Sequence, residues 1–166
     1  MHLIAVSGSL RQGSFNTQAL RALQDLAPAG MTIGLYDGVG TLPHFNPDVE
    51  SAALPDAIRE FRQQVVAADG LVIACPEYAH GLPGSFKNAL DWPVGSEDFP
   101  GKPVMLINTA PRAFHAQAQP KEVFSTVSAR LVHEAGVTLD LRHPDALRIL
   151  RSALAAFVTA CGSAVA

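Results

Sequence analysis

Apolar runs closed by turn residues recur along the chain at positions 3–6, 31–36, 70–75, 103–108 and 137–141. Three of them are nearly continuous in hydrophobic residues, the pattern of strands covered on both faces. Between them the period changes to that of helices. Residues 15–26 put Leu20, Leu23 and Leu26 on one face, and residues 54–68 do the same with Ile58, Phe61 and Val65. A shorter helix around Asn88 stops at Trp92, because the residue ahead of Pro93 is pushed out of the helical region. Pro120 suits the first turn of a helix running to Gly136, and a last helix spans 144–160. Five strands alternating with five helices predict an α/β fold, a parallel sheet of order 2-1-3-4-5 with helices on both faces. Ligands bind to such a sheet beyond the carboxyl ends of its strands, where the winding reverses between strands 1 and 3.

Composition narrows the picture. With 166 residues, 48% hydrophobic and 16% charged, the chain fills one core, so residues 1–166 are expected to form a single domain. A net charge of -3 with no long basic run gives no footprint for nucleic acid or an anionic membrane. Cys75 and Cys161 stand far apart without metal-ligand spacing, so neither a disulfide framework nor a metal site is expected, and a reducing cytoplasm fits. No uninterrupted apolar segment reaches the roughly 18 residues of a membrane span, and a soluble protein is expected.

Two loops carry the chemistry. The first, SGSLRQGSFNTQAL at positions 7–20, joins the first strand to the first helix. Unpaired N–H groups and a partial positive charge at a helix N-terminus make that turn an anion site. Gly8 and Gly13 let the backbone curl, Ser9, Ser14 and Thr17 offer hydroxyls, Asn16 an amide and Arg11 a charge-assisted fork. Ser14-Phe15 stands where a P-loop needs Lys-Ser/Thr, and Leu10 takes the second glycine position of a dinucleotide fingerprint. A terminal monophosphate fits better than a triphosphate or pyrophosphate. Singly, these residues have plainer uses, Ser14 as a helix cap and Arg11 as a solvated side chain.

The second loop, CPEYAHGLPGSFKNALDW at positions 75–92, follows the third strand. Pro76 and Pro83 stiffen its ends, Gly81 and Gly84 permit geometry or close approach that a side chain would block, and Tyr78 and His80 add planar surface. A mononucleotide with a large flat head matches both loops. Trp92 is expected in the core, Lys87 and Asp91 as a solvated pair, and Cys75 as a small buried hydrophobe. No nucleophile, paired carboxylates or metal cluster stands out in the motifs, so no catalytic side chain is assigned.

The segment Ser7-Gly8-Ser9-Leu10-Arg11 with Ser14 and Asn16 resembles the G-S-L-R-x-x-S-x-N loop of the NADPH-dependent FMN reductase family. Pro76-Glu77-Tyr78, Pro83-Gly84 and Lys87 through Trp92 are similar to its second motif, and LPHFNPDVE at 42–50 to the segment before its second helix. The resemblance runs to about residue 109. It implies a flavodoxin-like three-layer sandwich that passes electrons from NADPH or NADH through bound FMN to a quinone, flavin, azo compound or metal oxyanion. It further implies that Ser9, Arg11, Ser14, Phe15, Asn16 and Thr17 hold the FMN phosphate region. Pro76, Glu77, Tyr78, Ala79, His80 and Gly81 would border the ring, with Thr109 and Ala110 of the third loop completing the site. Family members are usually dimers, often paired into tetramers, so the resemblance implies a homodimer or homotetramer with Glu77 and Tyr78 as candidate subunit contacts. Ala79 stands where the family commonly has asparagine, Gly81 where it has serine, and the loop from Thr109 to His115 lacks the usual glycines. Two other readings keep the fold: a non-catalytic electron carrier and a flavin-free mononucleotide-binding protein.

Overall fold

The computed structural model describes residues 1–113 and 115–162. Its strands are β1 (His2–Ser7), β2 (Thr32–Tyr36), β3 (Gly70–Ala74), β4 (Pro103–Asn108), β5 (Arg130–Leu131) and β6 (Val137–Thr138). Its α-helices are α1 (Phe15–Leu26), α2 (Pro47–Ala52), α3 (Asp56–Ala67), α4 (Gly84–Asp91), α5 (His115–Thr126) and α6 (Ala146–Gly162). All strand pairs are parallel, in the order β2-β1-β3-β4-β5, with β6 also paired to β4. Leu3 lies between Ile33 and Gly70, and Leu71 lies beside Val104.

Successive residues of β1 divide between the two faces, as a strand's period of two requires. Leu3 and Ala5 enter one core cluster with Leu20 and Leu23 of α1 and Leu150, Leu154 and Phe157 of α6. Ile4 and Val6 enter the other with Ile58, Phe61 and Val65 of α3, Phe86 and Leu90 of α4, and Trp92. The sheet is thereby sealed on both sides, and the loops at its carboxyl end are the part left to bind something.

The sequence-based elements need three corrections. The fifth position of the sheet holds two short strands rather than one spanning 137–141: β5 pairs with the start of β4 at Pro103 and Val104, and β6 with its end at Ile107 and Asn108. The fifth helix begins at His115, places Pro120 inside rather than in its first turn, and ends at Thr126 rather than at Gly136. Its stop is a hydrogen-bonded cap: Ser128 adopts φ +57°, its N–H donates to the Ser125 carbonyl (2.9 Å), and the Ala129 N–H reaches back to Phe124 O (2.9 Å). Glycine usually fills that left-handed position, so a serine there gave no stop signal. Lastly, α2 stands ahead of the helix expected at 54–68, with Asn46 capping it through a bond from the Asp48 N–H (2.9 Å).

Candidate functional site

The first loop is wound on its own hydroxyls. Ser7 Oγ lies 2.9 Å from Thr17 Oγ1 and accepts from the Ser9 N–H, while the Arg11 N–H donates to Ser9 Oγ and the Ser14 N–H to Arg11 O. Gly13 turns the chain at φ +69°. Ser14 then caps α1 by accepting from the Asn16 N–H (3.2 Å). Its plainer use is therefore real, and it coexists with a polar seat at the helix N-terminus. Ser9, Ser14 and Asn16 are buried; Arg11 and Phe15 are exposed at the rim, and Thr17 is half-buried. A cavity of about 220 Å³ beside the loop is lined by Ser9, Arg11, Thr17, Arg21, Tyr36 and Asp37, among others. Arg21 was not anticipated, although its place one helical turn after Thr17 put it on the same face.

The loops meet at specific points. Gly8, whose N–H donates to Ala74 O (2.9 Å), packs so closely that a Cβ there would fall 2.6 Å from Cys75 Sγ and 3.2 Å from the Phe86 ring. Burial pushes the Cys75 thiol up to about 12, which makes it an inert core group rather than a nucleophile. Thr109 Oγ1 donates to Asn16 Oδ1 (3.1 Å), tying the third loop to α1, and Asn108 braces that loop by bonds with the Ala110 N–H and Ala113 O. Ala110 is exposed beside them. From the loop after β6, Arg142 sets its guanidinium carbon 5.9 Å from the centre of the Phe15 ring. Asp140 steadies that arginine with a two-point fork, which draws the carboxyl down to about 2.

The second loop forms a tight hairpin. Tyr78 and Gly81 exchange both backbone hydrogen bonds (3.0 and 2.9 Å), and the residues between them, Ala79 and His80, have φ +50° and +62°. The positive φ angles therefore fall on Ala79 and His80. Neither Gly81 nor Gly84 has positive φ, and a Cβ on either would meet no close contact, so neither the turn geometry nor the packing within this chain requires glycine there. The asparagine that the family commonly has at position 79 tolerates this backbone region better than alanine. Pro76 and Glu77 are half-buried at the base of the hairpin, and Tyr78, Ala79 and His80 are exposed at its tip. His80 Nδ1 lies 3.1 Å from Glu77 Oε1.

The end of the second motif has a role that sequence reading missed. Asn88 and Trp92 both donate to the Pro43 carbonyl at 2.9 Å, Asn88 Oδ1 accepts from the Phe45 N–H at 2.7 Å, and Phe45 stands edge-on against Trp92. The segments LPHFN and KNALDW are thus one fixture, pinning the chain after β2 to α4. Trp92 is fully buried, as expected, and Lys87 and Asp91 form their pair near solvent.

The model of the NADPH-dependent FMN reductase family matches residues 1–143. The chain belongs to this family. It is 40% identical over 114 residues to an NAD(P)H-dependent FMN reductase of Pseudomonas aeruginosa, an alignment covering 68% of this chain and 61% of the relative. A 2-hydroxy-1,4-benzoquinone reductase from a Burkholderia species is 42% identical over 113 residues, with 66% and 61% covered. The chain thus spans about three-fifths of the length of the curated relatives it matches. Among solved structures, the flavoenzyme NAD(P)H:(acceptor) oxidoreductase FerB from Paracoccus denitrificans superposes with a TM-score of 0.79 at 26% identity, over 98% of this chain and 97% of that one. A flavodoxin mutant from Pseudomonas aeruginosa, 16% identical with a TM-score of 0.59 over 98% of both chains, shares the fold. The sandwich is flavodoxin-like, as the family's motifs implied. Among the described residues, no helix is long and apolar enough to cross a membrane.

Proposed function

We propose that the chain acts as one FMN-dependent reductase domain, oxidising NADPH or NADH and passing the electrons to a small acceptor such as a quinone, flavin, azo compound or metal oxyanion. The observation that carries this reading is the first loop: buried hydroxyls, an α1 N-terminus capped at one N–H and an exposed arginine, gathered beyond β1 at the switch point. That donor set suits a phosphate monoester. In this reading Ser9, Arg11, Ser14, Phe15, Asn16 and Thr17 surround the phosphate and ribityl end of FMN. The Pro76 to Gly81 hairpin borders the ring, and Thr109 and Ala110 close the third side. The bound flavin would supply the hydride-accepting and electron-donating chemistry. The protein's part is to neutralise the phosphate through Arg11 and the α1 N-terminus, and to orient the ring against hairpin backbone. The family and its quinone-reducing relatives support the donor and the acceptor class. The reading extends to a homodimer or homotetramer in the cytoplasm, with exposed Tyr78 available for subunit contact.

The test is an absorption spectrum of the purified protein with and without added FMN, followed by NADPH or NADH under exclusion of oxygen. Bound flavin that bleaches is the expected result. A protein that takes up no FMN would overturn the proposal, and bound flavin that neither nucleotide reduces would favour an electron carrier.

A further inference from the structure

The hairpin at Tyr78–Gly81 is locally disfavoured. Two positive φ angles in succession are the signature of a type I′ turn, which normally takes Asn-Gly or Gly-Gly; here the residues are Ala79 and His80. Both side chains meet the steric penalty of the left-handed region. The two Tyr78–Gly81 backbone bonds close the turn but are present in any hairpin of this length, so something further must hold it.

One side chain outside the hairpin touches it twice. Gln119, on α5, accepts from the Leu82 N–H through Oε1 (3.0 Å) and donates through Nε2 to the His80 carbonyl (3.3 Å). The partners fix the orientation of the amide: only the oxygen can receive the N–H, and only the NH₂ can serve the carbonyl. One turn back on the same helix, the His115 ring meets the His80 ring edge-on, with centroids 4.4 Å apart. The helix that grips the hairpin thus starts where the third loop ends, so two walls of the proposed flavin site share one support.

We propose that Gln119 is a positioning residue: its amide clasps the strained Tyr78–Gly81 turn and keeps the flavin-facing backbone in place. This rests on the flavin reading above. In this role Gln119 acts through the hairpin, by its bonds to the Leu82 N–H and the His80 carbonyl. A glutamate at 119 could still accept from Leu82, but its second oxygen would oppose the His80 carbonyl, so charge and shape alone do not replace the amide.

The test compares wild type, Gln119→Leu, Gln119→Glu, Ala79→Gly and the Gln119→Leu/Ala79→Gly double variant. Gln119 is exposed, so its replacements leave the core intact. In flavin-free protein, amide hydrogen exchange at Gly81 and Leu82 is expected to quicken on the order of tenfold in Gln119→Leu, which loses two hydrogen bonds of about 1 kcal/mol each; in Gln119→Glu, where the Leu82 N–H keeps an acceptor, the quickening is expected at Gly81. Exchange in β3 should be unchanged. FMN titration by flavin fluorescence quenching should show affinity falling several-fold in Gln119→Leu. Ala79→Gly, which removes part of the turn's strain, should restore much of that loss in the double variant, a coupling that simple surface destabilisation would not produce. Unchanged exchange at both amides would overturn the clasp whatever the ligand. Wild type that binds FMN with the same affinity as Gln119→Leu, or a double variant no better than Gln119→Leu, would overturn the positioning role alone. Wild type that takes up no FMN would overturn the flavin reading and the positioning role with it, while the exchange rates still report whether the clasp exists.

Discussion

Arg11 and Asn88 both belong to recognisable motifs, yet they differ in what a substitution should do. Arg11 is exposed at the rim of the first loop and anchors no other element through its guanidinium in the bonds described above, so Arg11→Ala should leave the fold intact. On the proposed function it removes a charge-assisted bond to phosphate, and FMN affinity should fall by about 1.5–3 kcal/mol; calorimetric titration with unchanged affinity would show that the guanidinium points elsewhere. Asn88, in contrast, joins α4 to the segment after β2 through two bonds. Asn88→Ala should therefore cost about 1–3 kcal/mol of stability by urea unfolding, because the Phe45 N–H loses its acceptor. The buried Trp92 provides a local fluorescence probe of the same fixture. Residue types and spacing made the first loop legible, since hydroxyls, arginine and glycine at a strand-to-helix turn have few other joint uses. The clasp by Gln119 was not legible, because a glutamine on a helix surface carries no pattern until its partners are known.

At the scale of elements, hydrophobic runs located the central strands and most helices well, because burial on both faces leaves an unbroken apolar signal. The region after Asn108 was legible only in part. β5 and β6 are two residues each, too short for any alternation to register. The end of α5 was hidden because Ser128 occupies the left-handed cap position where glycine would have announced it. This yields a test of the cap. Ser128→Gly should raise stability by up to about 1 kcal/mol, the relief of left-handed strain of about 1–2 kcal/mol being partly offset by the greater freedom of glycine in the unfolded chain. Chemical denaturation should show a higher midpoint with an unchanged slope; a lower midpoint would mean that the serine side chain contributes more than its backbone costs.

For the whole molecule, strict alternation and right-handed crossovers left few topologies open, which is why the order of the sheet was legible before its edges were. The two faces of that sheet each bury one cysteine: Cys161 lies with α1 and α6, and Cys75 with α3 and α4. Cys75 gives the fold an alkaline limit. Its thiol is pushed from an ordinary value of 9.0 up to about 12 by burial, so between those values the unfolded chain releases a proton that the folded chain retains. Stability from this group is fully present below pH 9 and falls by at most about 1.4 kcal/mol for each pH unit above it, until the folded thiol itself ionises near 12. Tyr36 and Cys161, both raised first by desolvation, act in the same direction, whereas Lys102, lowered first by desolvation, opposes them. Comparison of wild type with Cys75→Ala isolates the one thiol. At pH 8 the variant should be less stable, having lost buried sulfur that packs against Gly8. By pH 11 the gap should have narrowed or reversed, because the variant has no proton to release. A gap that stays constant from pH 8 to 11 in urea unfolding would show that the sheet opens around Cys75 without the cost its burial implies.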